Sequence, residues 1–219
     1  MPVWEAMAAE SPFEPVPREW FDRPTLELAP ALLGTVLVHI TPEGLAAGRI
    51  VEVEAYCGPY DKAAHSYGGR RTARTEAMFW PPGHAYIYRI YGMYCCFDVV
   101  SAPDGAPEAI LVRAVEPLAG LDLMARRRGV TLSQPPTRSE LRTLGAGPGR
   151  LAQALGITMA QYGLALWQPP LYIAAAPEPV RPEAVARGPR VNIGYAEEAT
   201  AYPWRFWIRA HPMVSVRSR

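Results

Sequence analysis

The spacing of apolar and polar side chains predicts short strands, joined by turns and interrupted by a few short helices. Residues 35–40 (TVLVHI) and 49–56 (RIVEVEAY) alternate as half-buried strands do, with residues 41–48 as the connection between them. Further strands are predicted at residues 86–91, 94–101 and 109–116, around 171–176, near 191–195 and near 205–210. Short helices are predicted at residues 25–33, 118–128 and 151–155, and residues 129–145 read as loop-rich. Clustered strands with separate helices favour an α+β fold around an antiparallel sheet.

The N-terminal segment differs in character from the rest of the chain. Residues 1–24 contain several prolines and few periodic apolar positions, which predicts an acidic tail. The sequence does not decide whether this tail is flexible. Thr25 is a candidate helix cap, so the globular domain is predicted to comprise residues 25–219. No apolar run reaches the roughly 20 residues that span a bilayer, and the N-terminus does not resemble a signal peptide. We therefore expect a cytoplasmic protein without a membrane partner.

The strand at residues 49–56 presents acidic side chains on one face. Its valines and Ala55 are assigned to the core, and Glu52, Glu54 and Tyr56 share the opposite face. A carboxylate on a rigid strand suits a general base. Two carboxylates about 6–7 Å apart would also suit glycoside chemistry, and a solvent-exposed strand face is the structural alternative. Spacing alone does not decide among these.

Tyrosines and arginines cluster in the centre of the chain. Tyr91-Gly92-Met93 joins two predicted strands that also carry Tyr86, Tyr88 and Tyr94. An apolar hairpin tip suits a wedge in a DNA minor groove, and aromatic rings suit a flipped base, although tyrosines also pack across strands. The loop at residues 68–74 (GGRRTAR) suits phosphate contacts, with a solvated surface loop as the alternative.

The charge and the cysteine content exclude few classes of partner or site. The net charge of +1 argues weakly against a DNA partner, but residues 1–30 hold six acidic side chains and two arginines, so the remainder is basic. Cys57 and the adjacent Cys95 and Cys96 imply neither a disulfide framework nor a zinc site. We expect no metal and no cofactor.

Several segments together resemble the alkyladenine (3-methyladenine) DNA glycosylase family, which is distinct from the helix-hairpin-helix glycosylases. They run in family order, cover most of residues 25–215 and include the specific combination VExEAY, His and YxYxxYGM. The segments are LAPALLGTVLV (28–38), GRIVEVEAYCGPYDKAAHSYGGRRTART (48–75), MFWPPGHAYIYRIYGMYCCFDVV (78–100), ILVRAVEP (110–117), GPGRLAQALGI (147–157) and PRVNIGY (189–195).

This resemblance implies a single curved antiparallel sheet, short surrounding helices and a protruding β-hairpin that inserts into DNA. It implies a monomeric base-excision-repair enzyme that flips alkylated purines out of double-stranded DNA and hydrolyses the N-glycosidic bond without a cofactor. The implied substrates are 3-methyladenine and 7-methylguanine, with hypoxanthine and ethenoadenine as further candidates.

The resemblance also carries roles onto individual positions. Glu54 resembles the general base, and Arg113 and the carbonyl of Ile193 resemble the groups that hold the nucleophilic water. The residues that resemble the base-binding set are Tyr56, His65, Tyr88 and Asp98. The residues that resemble the DNA-contacting set are Tyr91, which fills the vacated space, with Met93, Tyr94, Arg70, Thr72 and Arg74.

Two positions depart from the family pattern. Asp98 stands at the pocket floor where the family usually has Asn. An ionised Asp accepts hydrogen bonds without donating them, so it could accept from a guanine 2-amino group, and its charge would favour a cationic base. We therefore expect a bias towards 3-methyladenine and 7-methylguanine over hypoxanthine. Trp80 replaces a small residue in MFWPPG, and the sequence does not say where its ring packs.

The scarcity of lysine bears on the reaction class. Glycosylases that also nick the strand use an amine to form a Schiff base, and Lys62 is the only lysine here. We therefore expect a monofunctional enzyme that leaves an intact abasic site. The rival interpretations are a damage-binding protein without turnover and a carbohydrate-active enzyme that uses Glu52 and Glu54.

Overall fold

Eight strands form one curved, unclosed antiparallel sheet in the computed structural model, which describes residues 3–216. The sheet carries an α+β fold with helices packed around it. The strands are β1 (Val36–Thr41), β2 (Gly44–Cys57), β3 (Ala85–Ile90), β4 (Tyr94–Ser101), β5 (Glu108–Ala119), β6 (Leu171–Ala174), β7 (Val185–Gly188) and β8 (Arg205–Ile208).

The longest strand, β2, is the centre of the sheet. The strand order is β3-β4-β5-β2-β1-β6. One edge of β2 pairs with β5 along most of its length, and the other edge pairs first with β1 and then with β8, which also pairs with β7. The middle of β2 is therefore enclosed on both sides. The predicted connection at residues 41–48 is mostly strand, because Thr41 pairs directly with Gly44 across a tight turn.

Five short helices pack around the sheet. They are α1 (Val3–Ala9), α2 (Thr25–Ala31), α3 (Leu121–Arg128), α4 (Arg138–Gly145) and α5 (Pro148–Leu155). Helix α4 falls in the region predicted to be loop-rich. It begins at a capping box in which Thr137 accepts from the Glu140 N–H and Glu140 accepts from the Thr137 N–H. That spacing of Thr and Glu was a local signal for the helix.

The strand predicted near residues 191–195 is not formed. Asn192 has a φ of +59°, outside the extended region, and the Val191 N–H donates to the Glu54 carboxylate instead of a strand neighbour. Strand β7 lies a few residues earlier. The segment after it is thereby free to approach the middle of β2.

The N-terminal segment packs onto the domain, in contrast to the tail expected from its composition. The Val16 N–H donates to the Ile173 carbonyl at 3.0 Å, and the Phe21 ring is fully buried against Gly83. Thr25 is not the predicted cap, because its hydroxyl bonds to Ser101 and Glu108 instead. Residues 1 and 2 lie outside the described part of the chain.

The main core lies between the sheet and α2, α3 and α5. It joins apolar strand residues such as Ile50 and Val112 with helix residues such as Leu28, Met124 and Leu151. Among the described residues, no helix is long and apolar enough to cross a membrane.

Phe21→Ala tests whether the N-terminal segment belongs to the core. We expect a loss of about 3–5 kcal/mol in the free energy of unfolding, because a large cavity would replace a fully buried ring. Urea denaturation measures this, with the exposed Leu26→Ala as the matched control. An unchanged midpoint for Phe21→Ala would show that the segment contributes nothing to the core.

Candidate active site

Glu54 is wholly buried in the middle of β2, and each of its carboxylate oxygens has protein donors. Oε1 accepts from the Val191 N–H at 2.6 Å. Oε2 accepts from the Tyr56 hydroxyl at 2.9 Å and from Arg113 Nη1 at 3.2 Å. Hydrogen bonds of this kind hold a carboxylate in one orientation.

Glu52 completes a buried network of two carboxylates and two arginines. Its Oε1 accepts from Arg113 Nε at 3.1 Å and from Arg205 Nε at 2.7 Å, and its Oε2 accepts from the Ser215 N–H at 2.5 Å. The alternative that this strand face is exposed to solvent is therefore wrong, since Glu52 and Glu54 are both 0% exposed.

A small ring-lined cavity opens beside this network. Its volume is about 60 Å³, room for a few water molecules and too little for a purine. Eight residues line it: Tyr56, Ala63, His65, Met78, Tyr86, Tyr88, Asp98 and Tyr195. The structure thus brings together all four residues that the resemblance assigned to base binding. Tyr56 connects the two parts of the site, because its ring lines the cavity while its hydroxyl reaches Glu54.

His65 and Tyr88 meet edge to face inside the cavity. Their ring centroids are 4.5 Å apart at an interplanar angle of 86°. Burial, with a smaller contribution from Arg74, lowers the pKa of His65 to about 4, so the imidazole is neutral at physiological pH. Its Nδ1 lies 2.8 Å from the Tyr86 hydroxyl. A neutral ring among tyrosines provides flat, uncharged stacking surfaces.

Asp98 lies in the cavity wall at the centre of β4. It is 3% exposed, and its Oδ1 has no hydrogen-bond partner among residues 3–216. Burial, reinforced by the charge of Glu54, raises the pKa of Asp98 well above its ordinary value. Burial and the neighbouring Glu54 therefore both oppose the ionised form of Asp98 that the sequence argument assumed.

A buried ion pair supports the Tyr56 wall of the cavity. Arg190 donates to both carboxylate oxygens of Asp61, at 2.5 and 2.8 Å, and its guanidinium lies 4.7 Å from the centre of the Tyr56 ring. Asp61 in turn accepts from the N–H groups of Cys57 and Ala63. This arrangement fixes the loop after β2 and the Tyr56 ring near the end of that strand.

The β3–β4 hairpin presents the apolar tip that the sequence predicted. Tyr91 is 86% exposed, Met93 74% and Tyr94 40%. Tyr91 has a φ of +52°, which a non-glycine residue adopts rarely. Tyr94 packs against Gly149 at the start of α5, where a Cβ atom would come within 3.2 Å of it. The tip therefore projects from a base that is fixed against the domain.

The arginine loop is exposed but internally ordered. The buried Thr75 hydroxyl accepts from the Thr72 N–H and donates to the Arg70 carbonyl. Arg74 lies over the Tyr88 ring at 5.3 Å, with Nη2 3.5 Å from His65 Nε2. The structure therefore places Arg74 beside the rings of Tyr88 and His65, whereas Arg70 and Thr72 lie on the surface.

The remaining predicted positions lie around the cavity. The Ile193 carbonyl accepts from the Ala196 N–H at 2.9 Å, which leaves one lone pair for a water. Trp80 packs against Tyr162 and His84 and does not line the cavity. Across residues 3–216, no three His, Cys, Asp or Glu side chains group closely enough to hold a metal ion.

Sequence reasoning missed several contributors to the site. Tyr195 and Ala63 line the cavity from loops, Met78 lines it from the short 3₁₀ helix Glu76–Phe79, and Arg205 reaches the carboxylate network from β8. No periodic pattern marks such residues as pocket walls. The available signal was that Tyr195, Ala63 and Met78 all lie within segments that carry the family resemblance.

A buried, oriented carboxylate at the edge of a ring-lined cavity is typical of an enzyme active site. The family model for methylpurine-DNA glycosylases matches residues 19–212. Relatives from Bacillus cereus (strain G9842) and Bacillus thuringiensis (strain Al Hakam), both provisionally named 3-methyladenine DNA glycosylase, are 50% identical over 204 residues, covering 91% of this chain and 98% of each relative. The chain belongs to the methylpurine-DNA glycosylase family.

Glu52→Gln tests the buried network. We expect the free energy of unfolding to fall by about 3–5 kcal/mol, because removing one partner leaves Arg113 and Arg205 undercompensated in the interior. Chemical denaturation measures the change, and the exposed Glu198→Gln is the control. A neutral effect of Glu52→Gln would mean that the arginines do not depend on its charge.

Proposed function

We propose that this protein is a DNA-3-methyladenine glycosylase that rotates an alkylated purine out of the duplex and hydrolyses its N-glycosidic bond. The observation that carries the proposal is the position of Glu54. Its carboxylate is held by Arg113 and the Val191 N–H, and Tyr56 connects it to a cavity lined by aromatic rings. The family membership and the names of the relatives support the same reaction.

In the proposed reaction, Glu54 orients and deprotonates a water molecule that attacks C1′ of the deoxyribose. The bond between C1′ and the purine nitrogen breaks, and its electron pair leaves with the base. A purine alkylated at N3 or N7 is positively charged, so it departs as a neutral molecule. The carboxylate also stabilises the positive charge that develops on the sugar. The free lone pair of the Ile193 carbonyl and the guanidinium of Arg113 are the proposed further contacts of the water.

DNA engagement is assigned to the hairpin and the arginine loop. Tyr91 and Met93 are the proposed wedge, since exposed apolar side chains on a fixed hairpin can replace the stacking that a departing base loses. Arg70 and Thr72 are the proposed phosphate contacts. The rings of Tyr56, His65 and Tyr88 must separate to admit a purine, because the cavity is only about 60 Å³. Arg74 must leave the Tyr88 ring in the same step.

The chemistry is proposed to stop at the abasic site. Lys62 is paired with Glu197 at 2.5 Å and with Glu198 at 2.9 Å. Hydrogen bonds to these carboxylates raise the pKa of Lys62, so its amine stays protonated at physiological pH. A Schiff base requires a neutral amine, which this environment disfavours. The expected enzyme is therefore monofunctional, and we propose that it acts as a monomer.

The rival interpretations fit the site less well. A carbohydrate-active enzyme would need Glu52 as a second catalytic carboxylate. Glu52 bonds to Arg113, Arg205 and the Ser215 N–H and not to Tyr56, the residue that connects Glu54 to the cavity. A damage-binding protein without turnover would not need a buried carboxylate held in one orientation beside the cavity.

Glu54→Gln tests the general base. We expect the single-turnover rate of base release from methylated duplex DNA to fall about 10²–10⁴-fold, because the amide cannot accept the proton of water. Binding to the same duplex, measured by fluorescence anisotropy, should persist. The exposed Glu198→Gln provides the control. Release at the wild-type rate in Glu54→Gln would refute the assignment.

Lys62→Ala tests the monofunctional reaction. Wild type and variant should both produce alkali-labile abasic sites without strand breaks, because no lysine amine takes part. Borohydride should trap no covalent complex between wild-type protein and DNA. A β-elimination product that disappears in Lys62→Ala would establish a lyase.

A further inference from the structure

Asp98 is a buried acid that the proposed water-activating chemistry does not use. It projects from β4 into the cavity wall, pairs across the sheet with Tyr86 on β3 and Leu111 on β5, and leaves Oδ1 without a partner among the described residues. A buried polar atom of this kind is costly unless something satisfies it. Since the atom lies in the base cavity, the base is the candidate partner.

The groups around Asp98 do not stabilise its negative charge. On β2, Glu54 adds negative charge close by, and Tyr56 donates its hydroxyl to Glu54. On β5, the Nε, Nη1 and Nη2 atoms of Arg113 donate to Glu52, Glu54 and Ser215. A negative Asp98 would therefore stand next to Glu54 with no cation of its own.

The other titratable neighbours are uncharged at physiological pH. His65, whose pKa is about 4, is neutral in the opposite wall of the cavity. Burial raises the pKa of the Cys96 thiol on β4 to about 12, and it also raises the pKa values of Tyr86 and Tyr88 on β3. Arg74 is the cation on the outer side of these rings, and the entering base displaces it from Tyr88.

We propose that Asp98 selects purines that carry a positive charge: it is a neutral acid in the free protein and gives up its proton when a cationic base enters the cavity. The inference rests on the proposed function and names the substrate class of the same site. The O–H bond of the carboxyl group breaks, its electron pair stays on the carboxylate, and the proton passes to solvent. The base keeps its alkyl group, its charge and, at this step, its glycosidic bond.

The Asp98 carboxylate and the cationic base form an ion pair in a cavity where both are desolvated. Each charge is therefore the main compensation for the other. A neutral purine gains no such pair and meets the protonated acid only as a hydrogen-bonding group. N3- and N7-alkylated purines are therefore the favoured class, and hypoxanthine is disfavoured. The raised pKa of Asp98 adds a pH dependence that an asparagine at this position would lack.

The direction of that dependence follows from the proton balance. While Asp98 is protonated in the free protein, binding of one cationic base releases one proton, so binding strengthens by up to about tenfold per pH unit as the pH rises. Binding of a neutral purine releases none. The effect ends above the pKa of Asp98 in the free protein, where no proton remains to be lost.

The test compares 3-methyladenine and hypoxanthine release under single-turnover, subsaturating conditions from roughly pH 6 to pH 9. In wild-type protein, the ratio of the 3-methyladenine rate to the hypoxanthine rate should rise with pH. In Asp98→Asn, which keeps the shape but cannot ionise, the ratio should be lower and independent of pH. Titrations that affect both substrates equally cancel in the ratio.

The outcomes separate this inference from the function on which it rests. Release of neither base by the wild-type protein would refute the proposed function. Release with a ratio that is flat in the wild type, or equally steep in Asp98→Asn, would refute the inference alone. A selective loss of hypoxanthine release in Asp98→Asn would also overturn it, because Asp98 would then be a general acid for neutral bases.

Infrared spectroscopy supplies a second readout that needs no turnover. Wild-type protein at neutral pH should show the carbonyl band of a protonated carboxyl group that is missing from Asp98→Asn. The band should disappear when the stable cation 3,9-dimethyladeninium is added and should persist with neutral 9-methylhypoxanthine. If Asp98→Asn does not fold, the wild-type band and its response to the two purines still decide. Its absence, or an equal response to both, would refute the inference.

Discussion

The buried carboxylate–arginine network is the interaction on which the rest of the site depends. Glu52 binds Arg113 and Arg205, and Arg113 also binds Glu54. Two charges of each sign compensate one another in an interior where an unpaired charge would be strongly destabilising. The network also joins β2, β5 and β8 with the C-terminal segment at Ser215. One set of contacts therefore stabilises the centre of the sheet and orients the carboxylate assigned to the reaction.

The cavity next to this network depends on it in a second way. Tyr56 donates to Glu54 and forms one wall, while Arg190, which is paired with Asp61, lies over the same ring. The negative charge of Glu54 also opposes ionisation of Asp98. A single carboxylate thus fixes a wall of the base site and influences the protonation of the acid in another wall. Changes at Glu54 are expected to alter base selection as well as water activation.

The hairpin and the arginine loop, which are proposed to contact DNA, differ from the cavity in how they are held. The hairpin tip at Tyr91 and Met93 is exposed, but its strands belong to the sheet and Tyr94 rests against Gly149. The arginine loop is organised by the buried Thr75 hydroxyl. Arg74 spans both regions, because it lies on Tyr88 in the free protein and belongs to the loop proposed to contact phosphate. In the proposed function, its release would couple entry of the base to contact with the DNA backbone.

The sequence by itself determined the α+β class, most strands and the family, because alternation and turn residues are local signals and the motifs are long. It also supplied the four base-binding candidates, although it reached them through resemblance. Only the tertiary structure decided that the acidic face of β2 is buried, since the pairing of β8 and the position of Val191 are set far along the chain. The same holds for the protonation of Asp98. Its pKa depends on burial and on Glu54, which no local pattern encodes.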